Sequence, residues 1–148
     1  MKIGILTDTH FGIRNDAPVF YDYFKKSVDF FVKSCLDQGV ETVLHLGDVY
    51  DRRKYVNFMT AYRARKDLIE PLAYNFKEVV LLAGNHDEYY KNTHKVNSLD
   101  ELVGDRNSNL TILKEAETWT FDDTEILLVP WITESNRDHT SLQIEETQ

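Results

Sequence analysis

One cysteine, Cys35, is the whole thiol content of this 148-residue chain, so an internal disulfide is excluded. Its place in a helical apolar stripe predicts a buried small hydrophobe. No apolar run approaches the roughly 20 residues of a membrane span, and no membrane association is expected. Met1-Lys2-Ile3-Gly4 leads straight into a strand pattern without the apolar region and cleavage site of a signal peptide, which makes a cytoplasmic location the expectation. Internal repeats, low-complexity tracts and linkers rich in proline, glycine or serine are missing, so one domain is the economical reading. Basic charge is also scarce, with 17 Lys plus Arg against 25 Asp plus Glu and a net charge of -8. Such a chain repels phosphate backbones at long range. Action on nucleic acid therefore requires cations at the site, a local basic patch or a partner.

What the chain does have is a composition of 42% hydrophobic and 28% charged residues and enough length for a sizeable core. Three apolar stretches end in the same chemistry. Ile3-Gly4-Ile5-Leu6 delivers Thr7-Asp8-Thr9-His10. Val43-Leu44-His45-Leu46 delivers Gly47-Asp48-Val49-Tyr50-Asp51-Arg52, and Val79-Val80-Leu81-Leu82 delivers Gly84-Asn85-His86-Asp87. Each reads as a buried strand, and open α/β sheets bind ligands at the carboxyl ends of their strands.

Between the first two strands, Phe20, Phe24, Val28, Phe31 and Cys35 recur at spacings of three and four. This predicts an amphipathic helix capped by Asp16, with Pro18 in its first turn and Gly39 as its stop. Strand, helix, strand in this order implies a parallel, right-handed crossover. Residues 56–75 read as a helix that Pro71 kinks or divides, with Met59, Tyr62, Ile69, Leu72 and Tyr74 facing inward. Tyr89 to Asn92 reads as a loop, and Ser98 to Val103 as a short helix ended by Gly104. Three strands follow at Leu110–Leu113, Thr118–Phe121 and Glu125–Val129, with Asp122-Asp123 as a turn. The polar tail from Glu134 to Gln148 starts a further helix. The expected fold class is α/β, a layered sheet with flanking helices that stops before its last strands.

Asp8, His10, Asp48 and Asn85 supply two carboxylates, an imidazole and an amide oxygen, a donor set suited to manganese, iron or zinc. Asp48 on the middle motif is the candidate bridge between two cations, which together can clamp a phosphoryl group and activate water. His86 is the candidate general acid for the leaving oxygen. Asp51 is the first choice for the carboxylate that orients it, with Asp87 the second. Arg52 can pair with a phosphate oxygen or with Asp51. Arg52, Arg53 and Lys54, followed by Arg63, Arg65 and Lys66, offer phosphate contacts or simply a solvated helix face. His45, inside its strand, reads as a satisfied core histidine. Taken singly, each motif has a plainer reading as a turn or a helix cap.

Together, Asp8-Thr9-His10, Gly47-Asp48-Val49-Tyr50-Asp51-Arg52 and Gly84-Asn85-His86-Asp87 resemble the first motifs of the calcineurin-like metallophosphoesterases. Phe11-Gly12, Tyr90-Lys91-Asn92 and Val129-Pro130-Trp131 resemble the branch containing nuclease subunits of SbcCD-type DNA repair complexes and recombination endonuclease subunits of T-even-like bacteriophages. The similarity runs from Met1 to about Asn136, and residues 1–148 read as the N-terminal part of one metallophosphoesterase domain. The resemblance implies Asp8, His10 and Asp48 on one metal, Asp48 and Asn85 on the other, and a catalytic His86. It further implies two divalent ions, Mn²⁺ first among them, and exonuclease and endonuclease action on DNA. The implied partners are a coiled-coil ATPase subunit of the SbcC type and a second copy in a homodimer. For a phage-encoded protein the location becomes the host cytoplasm.

Family members complete the metal pair with a later histidine and a Gly-His-x-His segment. After His86 this chain has only His94 and His139, both expected at the surface. The chain is therefore expected to be the front part of a longer protein. Two alternatives stay open: a phosphatase or cyclic-nucleotide phosphodiesterase on the same scaffold, and a non-catalytic binding or assembly module.

Overall fold

The computed structural model describes residues 1–104 and 107–147. In chain order its elements are β1 (Ile3–Leu6), a one-turn segment α1 (Ile13–Asp16), α2 (Pro18–Asp37), β2 (Thr42–His45), α3 (Phe58–Ala64), α4 (Glu70–Asn75) and β3 (Glu78–Leu82). The hairpin β4 (Glu88–Tyr90) and β5 (Thr93–Asn97) comes next, then α5 (Ser98–Leu102), β6 (Leu110–Leu113), β7 (Glu117–Phe121), β8 (Thr124–Leu128) and α6 (Arg137–Glu146). The main sheet has the order β1-β2-β3-β6 and is parallel throughout. Its register is flush: Leu6 pairs with His45, and His45 with Leu81. The loops after β1, β2 and β3 therefore leave from one edge.

Both central strands are buried on two faces, which is why they read as unbroken apolar runs. On one face Val43, Val79 and Leu81 meet Val28, Cys35, Ala64, Leu68 and Leu72 of the helices. On the other, Leu44, Val80, Leu82 and Leu113 meet Phe121 and Leu128 of the β7–β8 hairpin. The α/β layering expected from the sequence is thus observed, and Cys35 lies in the core.

Local departures have physical causes. The Asp16 carboxylate does not cap α2. Ala17 holds the cap position without a side-chain bond, because Asp16 is taken by Arg52 and Thr60. The helical run over 56–75 is divided next to Pro71, which stands in the first turn of α4. The chain widens into a π-helical turn at Arg65–Ile69, with the Glu70 N–H donating to the Arg65 carbonyl, which makes room for a ring that lacks an amide hydrogen. The buried face there is Thr60, Ala64, Leu68, Ile69 and Leu72, whereas Met59, Tyr62 and Tyr74 are exposed. Two of the inner positions carry small side chains that a count of large apolar residues passes over. The expected loop at Tyr89–Asn92 is instead the β4–β5 hairpin, in which Tyr90 pairs with Thr93. The tail forms α6 as expected, with Gln148 outside the described residues.

Candidate metal centre

The site is assembled by main-chain contacts before any side chain is considered. The Asp8 N–H donates to the Gly47 carbonyl at 3.1 Å, the His10 N–H to that of Asp48 at 3.0 Å, and the Phe11 N–H to that of Val49 at 2.8 Å. The first motif is thereby stitched along the second. Asp8, His10 and Asp48 have φ of 53, 39 and 58°, a left-handed conformation that costs about 1 kcal/mol or more for each. Three strained residues with metal-binding side chains meet in one place. Gly47 and Gly84 allow the third motif to close on the second: a Cβ on Gly84 would lie 2.3 Å from both the backbone nitrogen and Oδ1 of Asp48.

Asp87 ties the same joint from below. Its buried carboxylate accepts main-chain N–H groups of Asp48 (2.8 Å), Gly84 (3.0 Å), Val49 (3.1 Å) and Tyr50 (3.3 Å). Burial pushes its pKa up to about 6, and the N–H donors hold it from rising further. Asp87 is thus a structural anchor and does not orient His86. Nor does the Asp51 carboxylate: the Nδ1 of His86 donates instead to the Asp51 main-chain carbonyl at 2.5 Å.

On this frame the side chains converge. The Nε2 of His10 lies 3.4 Å from Oδ1 of Asp8 and 3.9 Å from Oδ2 of Asp48, and its Nδ1 lies 3.8 Å from Oδ1 of Asp51. The other oxygen of Asp48, Oδ1, accepts the His86 N–H at 2.8 Å. The His10 and His86 rings meet edge to face with centroids 5.0 Å apart. Asp8, His10 and Asp48 form one group able to hold a metal ion, and His10, Asp51 and His86 a second, the ligand atoms of each lying within 4.8 Å of one another. The Nδ1 of His10 is buried without a hydrogen-bond partner. Converging carboxylates and imidazoles with an unsatisfied ring nitrogen fit a divalent cation of borderline hardness. Asn85 lines the cleft beside Asp8 and Asp48, so the four expected donors share one rim.

The calcineurin-like phosphoesterase family model matches residues 1–139. The chain belongs to this family. It is 30% identical over 140 residues to exonuclease subunit 1 of Enterobacteria phage T4, an alignment covering 92% of this chain and 40% of that protein. The chain thus spans less than half the length of that relative. It also shares its fold with the solved structure of an archaeal phosphodiesterase, at a TM-score of 0.54 and 22% identity over 99% of this chain and 67% of that one. Members of the family are phosphoester hydrolases that bind divalent metals.

For a calcineurin-like phosphoesterase, the remaining expected residues fall as follows. His45 is a core histidine: the Gly47 N–H donates to its Nδ1 (3.2 Å), which leaves Nε2 to donate to the Thr9 hydroxyl (3.1 Å). Burial pulls its pKa down to about 4. The guanidinium of Arg52 pairs with Asp16 and not with Asp51, and also donates to the Gly12 carbonyl at 3.2 Å. Arg65 and Lys66 pair with Glu70, and Arg63 lies over the Tyr21 ring. Arg53 and Lys54 have no ion-pair partner among the described residues and line a groove with Tyr55 and Tyr89. His139 is exposed as expected. His94 is not: it is 5% exposed, with Nδ1 bonded to Glu88 and Nε2 to the Trp131 carbonyl. Its polar neighbours in sequence gave no sign of the tertiary contacts that bury it. Among the described residues, no helix is long and apolar enough to cross a membrane.

Proposed function

We propose that the chain is the N-terminal part of a metal-dependent DNA nuclease that hydrolyses phosphodiesters. The observation that carries this reading is the convergence of Asp8, His10 and Asp48 beside a His86 fixed through Nδ1. Asp8, His10 and Asp48 would hold one divalent ion, and Asp48 and Asn85 would contribute ligands to a second. Divalent ions there supply Lewis-acid polarisation of the phosphodiester and activation of water; Mn²⁺ matches the mixed oxygen and nitrogen donors.

A carbonyl oxygen only accepts, so the Nδ1 of His86 carries a hydrogen and Nε2 exchanges the proton with the leaving oxygen. The similarity to a phage exonuclease subunit favours DNA as substrate. An SbcC-type coiled-coil ATPase and a second copy of the chain are the partners that fit that branch. Arg53 and Lys54, which have no ion-pair partner among the described residues, are the phosphate contacts in a chain of net charge -8.

The deciding experiment is Mn²⁺-dependent nucleotide release from duplex DNA by the completed protein, lost in Asp48→Ala. Phosphomonoesterase activity without DNA cleavage overturns the reading. Neutralising Arg53 and Lys54 flattens the salt dependence of DNA binding, each phosphate contact accounting for about 0.9 of the slope.

One observation favours a second reading, an assembly module with an incomplete metal set. Neither His94 nor His139 joins the ligand groups. Metal titration separates the two: two ions bound per chain supports the nuclease, and none supports the module.

A further inference from the structure

The metal rim opens onto a cleft of about 480 Å³. Asp8, Asp48 and Asn85 line it together with Val129, Pro130, Trp131 and Ile132. Trp131 is 49% exposed, although its peptide is hydrogen-bonded at both ends. Its N–H donates to the carbonyl of Ala83 at 2.9 Å, one residue before Gly84. Its own carbonyl accepts from Nε2 of His94 at 2.8 Å and from Nδ2 of Asn136 at 3.2 Å.

Behind that carbonyl lies a connected set of buried polar groups. The Nδ1 of His94 donates to Glu88, the Asn97 amide donates to the His94 carbonyl (3.1 Å), and the Thr133 N–H donates to Asn136 (2.8 Å). Glu88, His94, Asn97, Thr133 and Asn136 are all buried. Burying so many polar groups is costly unless they are bonded, and bonded they fix one geometry. The geometry they fix at the cleft is that of the Trp131 peptide. A half-exposed indole thus lines the same cleft as the carboxylates, on a peptide bonded at both its N–H and its carbonyl.

We propose that Trp131 is a stacking platform for the nucleobase next to the phosphate held at the metal rim, and that His94 is its positioning residue. The proposal rests on the phosphodiester reading of the site and names what lies beside the phosphate. A planar ring at one end and an anion at the other is the form of a nucleotide. Stacking on an aromatic face is sequence-tolerant, and a preorganised platform loses little freedom on binding.

The chain has two tryptophans, so in a Trp119→Phe background the emission comes from Trp131 alone. With Mg²⁺ present, deoxyadenosine monophosphate is expected to quench this emission saturably. Deoxyribose 5-phosphate is expected to leave it unchanged and to bind about tenfold more weakly, the loss of one stacked base. Trp131→Ala should bring the two affinities together, and Trp131→Phe should keep them apart. Equal affinities in the unsubstituted protein, or a preference that survives Trp131→Ala, overturn the proposal. If both ligands bind equally and both are lost in Asp48→Ala, stacking alone fails; if neither binds, the phosphodiester reading fails with it.

Discussion

The Nδ1 of His86 lies 2.5 Å from the main-chain carbonyl oxygen of Asp51, while the carboxylate of Asp51 stands 3.8 Å from the Nδ1 of His10. One residue therefore serves two histidines with two different groups. The backbone contact is independent of the side chain at position 51, so Asp51→Ala leaves His86 oriented and removes a carboxylate from the neighbourhood of His10. At saturating Mn²⁺, His86→Gln is expected to lower phosphodiester turnover by about 10²- to 10⁴-fold, the usual worth of a general acid, with metal affinity kept. Asp51→Ala is expected to weaken Mn²⁺ binding with turnover at saturation changing far less. Calorimetric metal titration and steady-state rates on each variant check this, and equal losses of turnover in the two would show that the carboxylate acts on His86 after all.

Gly84 is the tightest joint of the site. A methyl group there would lie 2.3 Å from two atoms of Asp48, whose backbone is already pinned by Asp87 and cannot retreat. Gly84→Ala is expected to cost about 3 kcal/mol, the upper part of the usual range for overpacking, and to weaken metal binding because the strained atom belongs to a ligand. The urea midpoint and a Mn²⁺ titration measure the two effects. A variant as stable as the parent would mean that the β2 and β3 loops are free to separate.

The strand ends and their acids were legible because buried parallel strands are apolar on both faces and stop abruptly at glycine, as at Leu46-Gly47 and Ala83-Gly84. The helix of Phe24, Val28 and Phe31 was legible for the same kind of reason, a period written in large side chains. What local pattern could not carry was tertiary chemistry. Nothing near Asp87 in the sequence announces that it gathers the N–H groups of Asp48, Val49 and Tyr50, and nothing near His94 announces Glu88 as a buried counter-charge. Sequence displays side chains and so points to the carboxylate of Asp51, whereas the group that reaches His86 is one that every residue has.

His45 should make stability rise with pH on the acid side. Both of its ring nitrogens are committed in the neutral form, Nδ1 as acceptor from Gly47 and Nε2 as donor to Thr9. Protonation would turn Nδ1 into a second donor facing a donor. Burial lowers its pKa from 6.5 to about 4, so between those values the unfolded chain binds the proton that the folded one refuses. Stability from this group is complete above pH 6.5 and is lost as pH falls through about 4, by up to about 3 kcal/mol. Urea unfolding at stepped pH, with the ring resonances of His45 followed by NMR, tests the assignment. A ring that titrates near 6.5 in the folded protein would contradict it.

His94 is expected to do the reverse. Burial alone would lower its pKa as it does at His45, but the hydrogen bond and charge of Glu88, with the Trp131 carbonyl, outweigh that and raise it above 6.5. A folded value above the unfolded one stabilises fully below pH 6.5, and the contribution disappears as pH climbs through the raised value. Two buried histidines in one chain thus give opposite slopes, because one has neutral hydrogen-bond partners and the other an anion. Glu88→Gln removes the anion and should take about 3 to 5 kcal/mol of stability, the cost of breaking a buried pair. The His94 ring should then titrate below 6.5. Because the Nε2 of His94 also holds the Trp131 carbonyl, the same variant should alter Trp131 emission in the Trp119→Phe background. Unchanged emission beside a lowered His94 titration would separate the ion pair from the cleft and leave Asn136 alone as the support of that peptide.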